Sequence, residues 1–229
     1  MSQVNEFGQP VGDDLRGWEP PAFPEAATLA GAHASLEPLQ VRHASALYPT
    51  LAAGDDSLWT YMSIGPFRTE SEMRSSFEAL IEKADWLPYV VLVDGKPAGF
   101  LSYLRIDPPG GVIEIGSIVF SPGMQRKTAA TEAIYLLLKH AFDLGYRRCE
   151  WKCDDLNEPS RRAAERLGFV YEGTFQKATH YKGRNRDTAW YAITDDEWPH
   201  VERAFRLWLA PENFDTDGHQ LQSLSALRR

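Results

Sequence analysis

One stretch of the chain, residues 112–144, restricts the possible folds more than any other. Val112–Phe120 has the apolar character and alternation of a strand, and Ser121-Pro-Gly123 then interrupts it. From Arg126 to Leu144 the apolar residues recur at helical spacing and form one stripe, made of Ala130, Ile134, Leu137, Leu138, Ala141 and Phe142. Gly145 is the residue type expected just beyond a helix end. A strand followed by a long amphipathic helix predicts a mixed α/β domain.

Similar patterns predict the other elements. A capping box at Thr69–Glu72 starts a helix, and Asp94-Gly95 is typical of the turn of a β-hairpin. The predicted strands are Ala34–Leu39, Pro88–Val93, Pro97–Ile106, Arg147–Cys153, Phe169–Thr174 and Thr188–Ile193, the last two around a polar loop at Tyr181–Asp187. The predicted helices are Gln40–Leu51, the capped segment after Thr69, Asn157–Leu167 and Asp195–Leu209.

The sequence divides into one domain with two appendages. Residues 1–32 are acidic and interrupted by prolines, which favours an extended arm. Residues 33–209 carry the periodic patterns and form the predicted domain. Residues 210–229 are expected to be a frayed C-terminal tail.

Charge, cysteine usage and hydropathy exclude several classes of protein. The formal net charge is −8, and residues 1–40 hold six acids against Arg16 alone, so a broadly basic nucleic-acid binder is excluded. Cys149 and Cys153, if on one strand, lie about 13 Å apart at roughly 3.3 Å per residue, too far for a disulfide. Two reduced thiols, no apparent signal peptide and no long apolar run predict a cytoplasmic protein away from membranes. The scattered histidines predict no metal site.

The start of the predicted long helix is a candidate anion site. A helix N-terminus exposes unpaired amides and the positive end of the helix dipole. Gln125 and Thr128 can donate hydrogen bonds there, and Arg126 and Lys127 add positive charge. The alternative is an ordinary solvated basic helix start. The P-loop pattern is absent.

The order of these elements, together with a later motif, resembles a known family. Asn157 and Ser160 precede Ala163-Ala164-Glu165-Arg166-Leu167-Gly168-Phe169, followed by Glu172-Gly173 and Gly183–Asp187. Over about residues 33–195 the chain resembles GNAT acyltransferases, in particular the RimJ/RimL type that acetylates ribosomal proteins. The resemblance implies a GNAT fold: a single mixed, mostly antiparallel sheet with a central splayed pair of parallel strands and helices on both faces.

The resemblance also implies a binding site for acetyl-CoA. The pantetheine arm would pair with Gly116–Phe120, opposite Glu150–Asp154 across the gap between the two strands. The implied binding residues are Ile118, Val119, Phe120, Gln125, Arg126, Lys127, Thr128, Ala129, Ala130, Asn157 and Ser160. One position departs from the family pattern, because Thr128 stands where a glycine is usual, and this crowds the backbone approach to a phosphate.

Three residues are candidates for catalysis by analogy with the family. Glu114 is the candidate base, and simple alternation places it on one face with Gly116 and Ile118; the alternative is a solvent-facing carboxylate. Ser160 is a candidate proton donor to the CoA thiolate or a CoA ligand, against an ordinary first-turn serine. Tyr171 is the backup donor, against a core aromatic. Asn157 is a helix N-cap, a CoA-amide ligand, or both.

Neighbouring residues receive weaker interpretations. Alternation along the strand predicts that Lys152 faces solvent while Trp151 and Cys153 face the core, and nothing marks Cys153 as a nucleophile. Trp18, and Trp59 with Tyr61, lie in segments that could cover the acceptor site.

The sequence therefore predicts an N-acyltransferase that moves an acetyl group from acetyl-CoA to a primary amine in a direct ternary complex. The identity of the amine is not readable, and a monomer or a homodimer fits equally. One alternative is a different acyl donor, either another acyl-CoA or an aminoacyl-tRNA. Arg126, Lys127, Arg161 and Arg162 could hold the tRNA end, although the acidic balance opposes a broad RNA footprint. A second alternative is a degenerate module that binds CoA or a protein without turnover.

Overall fold

The computed structural model describes residues 3–52 and 55–229, so the first two residues of the predicted arm lie outside it. A small two-stranded ribbon pairs β1 Gln3–Val4 with β2 Pro10–Val11. The main feature is an eight-stranded sheet made of β3 Leu29–Ala30, β4 Ser35–Pro38, β5 Leu87–Val93, β6 Lys96–Asp107, β7 Val112–Phe120, β8 Arg148–Asp154, β9 Val170–Tyr181 and β10 Arg184–Thr194. Its strands lie in the order β3-β4-β5-β6-β7-β8-β10-β9. Neighbouring strands are antiparallel except for β7 and β8, which are parallel. The predicted fold class is confirmed.

Helices cover both faces of this sheet. They are α1 Ala44–Ala52, α2 Glu70–Ile81, α3 Thr128–Asp143, α4 Glu158–Leu167, α5 Trp198–Leu209 and α6 Leu224–Leu227. On one face α1 and α2 pack around Phe77 and Phe100. On the other face α3, α4 and α5 pack around Leu137 and Phe205. Among the described residues, none of these helices is long and apolar enough to span a bilayer.

The helix boundaries follow the capping signals in the sequence. Thr69 is the N-cap of α2, and its hydroxyl accepts the Glu72 amide, while the Glu72 carboxylate accepts the amide of Arg68. Asn157 caps α4 in the same way. Gly168 ends α4 with φ of 110°, a backbone conformation that favours glycine.

A β-bulge in β7 corrects the predicted arrangement of side chains around Glu114. Gly116 pairs with Ser102 and Val119 with Phe100, so Ser117 and Ile118 together oppose one residue of β6. Ser117 has φ of 50°. The extra residue reverses the alternation, and Ile118 packs on the α3 side with the main core, away from the face of Glu114. The prediction that Glu114, Gly116 and Ile118 share one face is therefore wrong.

The last hairpin is longer than predicted. The segment Tyr181–Asp187 was expected to be a polar loop, but β9 and β10 continue through it and are joined at Lys182-Gly183. The strand β9 lies at the edge of the sheet and is exposed along most of its length. A strand whose two faces are both exposed to solvent lacks the alternation of apolar and polar residues by which strands are recognised. Its polar residues therefore have the sequence pattern of a loop.

The C-terminal segment packs on the domain, contrary to the expected frayed tail. Asn213 is buried; its amide nitrogen donates to the carbonyls of Trp208 and Gln222, and its oxygen accepts the Gln222 amide. Trp208 donates its indole N–H to Gln220 over 2.7 Å. Leu224 of α6 is also buried. The segment after α5 is thus fixed by paired buried polar groups and one apolar anchor.

The N-terminal segment lies at the opposite end of β7 and β8 from the predicted site. The Trp18 ring lies against Gly111, with the Arg147 guanidinium 5.5 Å from the ring centroid. The Tyr146 hydroxyl donates to the Ala22 carbonyl. Trp18 therefore does not cover the acceptor site. The strand β3 falls inside the predicted arm and joins the main sheet.

Glu132 ties the turn between β3 and β4 to helix α3. Its buried carboxylate accepts the backbone amides of Ala32, His33 and Ala34 at 2.5–2.9 Å. A Cβ atom on Gly31 would lie 2.5 Å from the carboxylate carbon, so this close approach needs glycine. Three hydrogen bonds to one charged group are a strong local anchor.

We predict that Glu132→Gln lowers the free energy of unfolding by about 2–3 kcal/mol, the range for hydrogen bonds to a charged group. The carboxamide has one acceptor oxygen, and its NH₂ group faces amide donors. Urea unfolding measures the change, with the exposed Glu78→Gln on α2 as the matched control. Equal stability of the two variants would contradict the anchoring role.

Candidate active site

The site begins where the two central parallel strands stop pairing. Residue pairs run from Val112–Arg148 to Glu114–Glu150, and the two strands diverge beyond them. We call this divergence the fork, with Glu114 and Glu150 at its base. The edge of β7 from Ile115 onward therefore faces a cavity of about 1440 Å³ instead of a neighbouring strand. Backbone N–H and C=O groups along this edge are available to a ligand.

The cavity runs from this fork along the start of α3 and between α3 and α4. Ten of the residues predicted from the sequence line it: Glu114, Ile118, Phe120, Gln125, Arg126, Lys127, Thr128, Ala130, Asn157 and Ser160. Val119 and Ala129 are buried beside the cavity without lining it. Tyr171 lies outside it on the exposed strand β9, with its hydroxyl 2.8 Å from that of Thr174. The structure thus brings together all the predicted residues except these three.

The start of α3 has the features of an anion site. Lys127 occupies the N-cap position, and its side chain has no acceptor atom to satisfy the first amides of the helix. Arg126, in the turn before α3, adopts a left-handed backbone conformation with φ of 61°. Thr128 is the first residue of α3, so the position where the family pattern has glycine requires no left-handed backbone here. The departure at Thr128 therefore causes no backbone strain.

Glu114 is buried at the base of the fork between two cations. Arg105 donates to both carboxylate oxygens, at 2.6 and 2.8 Å, and the Lys152 ammonium lies 3.2 Å from one of them. Burial raises the pKa of Glu114 above its usual value, and the two cations oppose that rise. Glu114 is not the solvent-facing carboxylate of the alternative interpretation.

Lys152 is enclosed, which contradicts the prediction that it faces solvent. Its side chain is 6% exposed, and its nitrogen lies 2.6 Å from Glu150 and 3.7 Å from the centroid of the Trp190 ring. Alternation places Trp151 and Cys153 in the core as expected. The opposite face of β8 is covered as well, which a single-strand pattern cannot reveal.

Ser160 is held by two hydrogen bonds at the start of α4. The Trp151 indole N–H donates to its hydroxyl oxygen over 3.0 Å, and its amide donates to the Asn157 side chain over 3.2 Å. The indole N–H occupies one lone pair of the Ser160 oxygen and leaves its hydroxyl hydrogen as a donor, with the Cys153 thiol as one neighbouring acceptor. Asn157 is confirmed as the N-cap of α4.

The far side of the fork is covered by the segment before α2. Tyr61 lines the cavity and donates to the Leu156 carbonyl over 3.0 Å. Lys182, at the tip of the last hairpin, donates to the Trp59 carbonyl over 2.7 Å. Trp59 itself is buried in the core, so of this predicted pair only Tyr61 forms part of the cavity wall.

Arg105, Asp154 and Arg186 also line the cavity. The sequence places Asp154 in the strand across the gap and Arg186 in the family motif without assigning either a role, and sequence reasoning missed Arg105. Asp154 is buried and accepts the hydroxyl of Tyr181 over 2.8 Å. Burial, with this bond, raises the pKa of Tyr181 to about 12. Arg105 carries no local motif, and predicting its place would require knowing that β6 lies beside Glu114 on β7.

The remaining reactive side chains do not form a second site among the described residues. Cys149 and Cys153 are buried free thiols, and burial raises the pKa of both, so neither is an activated nucleophile. The side chains of Asp215, Asp217 and His219 approach one another on the C-terminal segment. They are exposed, and no metal site is assigned to them.

The family is decided by comparison with known proteins. A model of the acetyltransferase (GNAT) family matches residues 55–169, half of the chain. The chain is a GNAT acetyltransferase. A crystal structure of a GCN5-related N-acetyltransferase from Brucella melitensis is 43% identical, with a TM-score of 0.91 over 93% of this chain and 99% of that one. The recognised resemblance is therefore confirmed, and so is the expectation of an enzyme.

Further relatives of this GNAT acetyltransferase are bacterial. The N-acetyltransferase YokL, encoded by the SPbeta prophage of Bacillus subtilis and uncharacterised, is 29% identical over 57% of this chain and 74% of its own. The putative ribosomal N-acetyltransferase YdaF of the same organism is 29% identical over 47% and 59%. A crystal structure of the microcin C7 self-immunity acetyltransferase MccE with acetyl-CoA and AMP is 25% identical, covering 72% and 93%, with a TM-score of 0.65.

Proposed function

We propose that this GNAT acetyltransferase moves an acetyl group from acetyl-CoA to a primary amine within a ternary complex. The observation that carries the proposal is the continuity of one cavity. It joins the unpaired edge of β7, the uncapped start of α3 and the buried carboxylate of Glu114. From the base of the fork outward, these three features suit an amine at Glu114, an extended amide chain along β7 and a pyrophosphate at the start of α3.

The donor end of the cavity fits acetyl-CoA. The free edge of Gly116–Phe120 offers backbone partners to the two amides of a pantetheine arm. The first amides of α3, with the charges of Arg126 and Lys127, suit the pyrophosphate. Acetyl-CoA supplies the thioester carbonyl that the amine attacks. The complex of MccE with acetyl-CoA supports the same choice.

The fork itself suits proton transfer from the acceptor. An ammonium group must lose a proton before it can attack a carbonyl, and a carboxylate with a raised pKa is a suitable acceptor for that proton. Glu114 lines the cavity and has such a pKa. Ser160 lines the cavity, and its hydroxyl would stabilise the departing thiolate by donating a hydrogen bond to it. The name of YdaF, a putative ribosomal N-acetyltransferase, supports an amine of ribosomal origin as one acceptor class.

The contacts of the arginines on α4 do not favour an aminoacyl-tRNA donor. Arg161 is paired with Asp155 at 3.1 Å, and Arg162 with Glu158 at 3.2 Å. Both cations are thus neutralised locally. A thiol-release assay over a panel of amines, with labelled aminoacyl-tRNA in parallel, tests the choice of donor. Thiol release that depends on an amine supports the proposal, whereas transfer from tRNA, or donor binding without turnover, supports one of the alternatives.

Acetyl-CoA should raise the melting temperature, because a ligand that binds only the native state stabilises that state. At a ligand concentration one hundred times Kd, the free energy of unfolding rises by about 2.7 kcal/mol. Arg126→Ala with Lys127→Ala should reduce this shift because it removes two charges from the start of α3. Differential scanning fluorimetry measures the effect. The control is Arg203→Ala with Arg206→Ala, an equal change of charge on the exposed side of α5. No shift for the parent protein at millimolar acetyl-CoA would contradict the proposed donor.

Ser160→Ala should lower kcat by about tenfold to a hundredfold with little change in acetyl-CoA affinity, because the interaction forms late in the reaction. Trp151→Phe keeps a ring in place but removes the N–H that orients Ser160, so we expect a smaller loss in the same direction. Steady-state kinetics and melting curves measure both. A larger loss of kcat in Tyr171→Phe than in Ser160→Ala would identify Tyr171 as the proton donor to the thiolate. Full activity of Ser160→Ala with a lower melting temperature would show that Ser160 stabilises the start of α4 and has no role in catalysis.

A further inference from the structure

Lys152 lies just beyond the last paired residues of the fork. Glu114 and Glu150 end the parallel pairing of β7 and β8, and Lys152 follows Glu150 on the same face of β8. Its ammonium bridges the two strands, 3.2 Å from Glu114 and 2.6 Å from Glu150. The two carboxylates at the point of divergence therefore share one cation.

This cation is more strongly shielded from water than the other partner of Glu114. The Lys152 side chain is 6% exposed and lies over the Trp190 ring, whereas the Arg105 side chain is 52% exposed. Charge interactions are screened less when the groups are buried. The two carboxylates and the ring face account for the three N–H bonds of the ammonium. Lys152 is thus engaged by its neighbours and not oriented for proton transfer of its own.

The charged groups that face Glu114 come from the two strands beside β7. Arg105 on β6 and Lys152 on β8 are the neighbouring cations, and Glu150 on β8 is the neighbouring anion. Arg148 pairs with the far side of Glu150. The Cys149 thiol points to the other face of β8, and burial raises its pKa, so it contributes no charge at neutral pH.

We propose that Lys152 is a positioning residue that holds Glu114 ionised and directed into the cavity at the fork. The proposal rests on the proposed role of Glu114 as the base. Without the ammonium, two buried carboxylates would stand at the divergence of the strands with no cation between them. Like charges in a buried site disfavour ionisation of both. Glu114 would then carry a proton over part of the pH range in which it now accepts one.

The kinetic test compares Lys152→Met with Lys152→Arg. Methionine keeps an unbranched apolar stem and removes the charge. The acidic limb of the pH profile of kcat/KM for the amine should therefore move to higher pH by about one to three units, the effect of one adjacent opposite charge. Activity above the new limb should recover most of the parent value, and acetyl-CoA affinity should stay within a factor of about three, under 0.7 kcal/mol. Lys152→Arg should keep the limb near its original position.

A second pair of substitutions guards against misfolding of the methionine variant. Lys152→Met combined with Glu150→Gln removes the cation and the competing anion together, leaving Glu114 with Arg105. Replacing a buried ion pair by uncharged groups is often tolerated. The acidic limb of this double variant should lie between those of the parent protein and Lys152→Met. A uniform loss of rate at every pH, with neither the acidic limb nor the ionisation of Glu114 shifted, would mean that Lys152 only holds the two strands together and would overturn the proposal.

A direct titration separates this proposal from the proposed function. Carbon-13 labelling of glutamate carboxyl groups, with Glu114→Gln to assign the signal, reports the ionisation of Glu114 without any turnover. An upward shift in Lys152→Met supports the proposal even if no amine is acetylated. A shifted titration with an unmoved kinetic limb supports the role of Lys152 and removes Glu114 as the base. An unchanged titration overturns the proposal.

Discussion

Two parallel strands that stop pairing leave backbone donors and acceptors without partners, and the rest of the site follows from this divergence. In this protein the pairing of β7 and β8 ends at Glu114 and Glu150. Other strands continue on both outer sides, so the sheet remains whole while a cavity opens within it. Unpaired backbone groups are costly when buried in protein but useful when a ligand supplies the partners. The fold thus holds open an edge suited to an extended amide chain.

The base of this opening carries an alternating set of charges whose three central members, Glu114, Lys152 and Glu150, are buried. Arg105, Glu114, Lys152, Glu150 and Arg148 follow one another through contacts of 2.6–3.2 Å across three strands. Buried ion pairs contribute little net stability, because the cost of desolvation offsets their attraction. Their arrangement here has a clearer consequence for ionisation. A carboxylate whose pKa burial raises and neighbouring cations restrain is suited to accept a proton from an amine.

Local patterns predicted most elements, and the family motif predicted the site residues that lie on continuous segments. The start of α3 and the Asn157 cap of α4 could be found because helix signals are local. The bulge at Ser117 and the enclosure of Lys152 could not, since each depends on a neighbouring strand. The role of Arg105 could not be predicted for the same reason, whereas Glu150 lies in the strand predicted to face the gap. The exposed strand β9 has no apolar face beyond Thr174, so the sequence pattern does not predict that its strand continues there.

The central claim is that the unpaired edge of β7 and the start of α3 bind the acyl donor together. Hydrogen–deuterium exchange with an unreactive acetyl-CoA analogue, in which a methylene group replaces the sulfur, tests both segments at once. Binding should slow exchange of the backbone amides in residues 115–120 and 126–131, because a ligand then occupies groups that now face the cavity. Binding that leaves exchange in both segments unchanged, or that slows it elsewhere alone, would contradict the account.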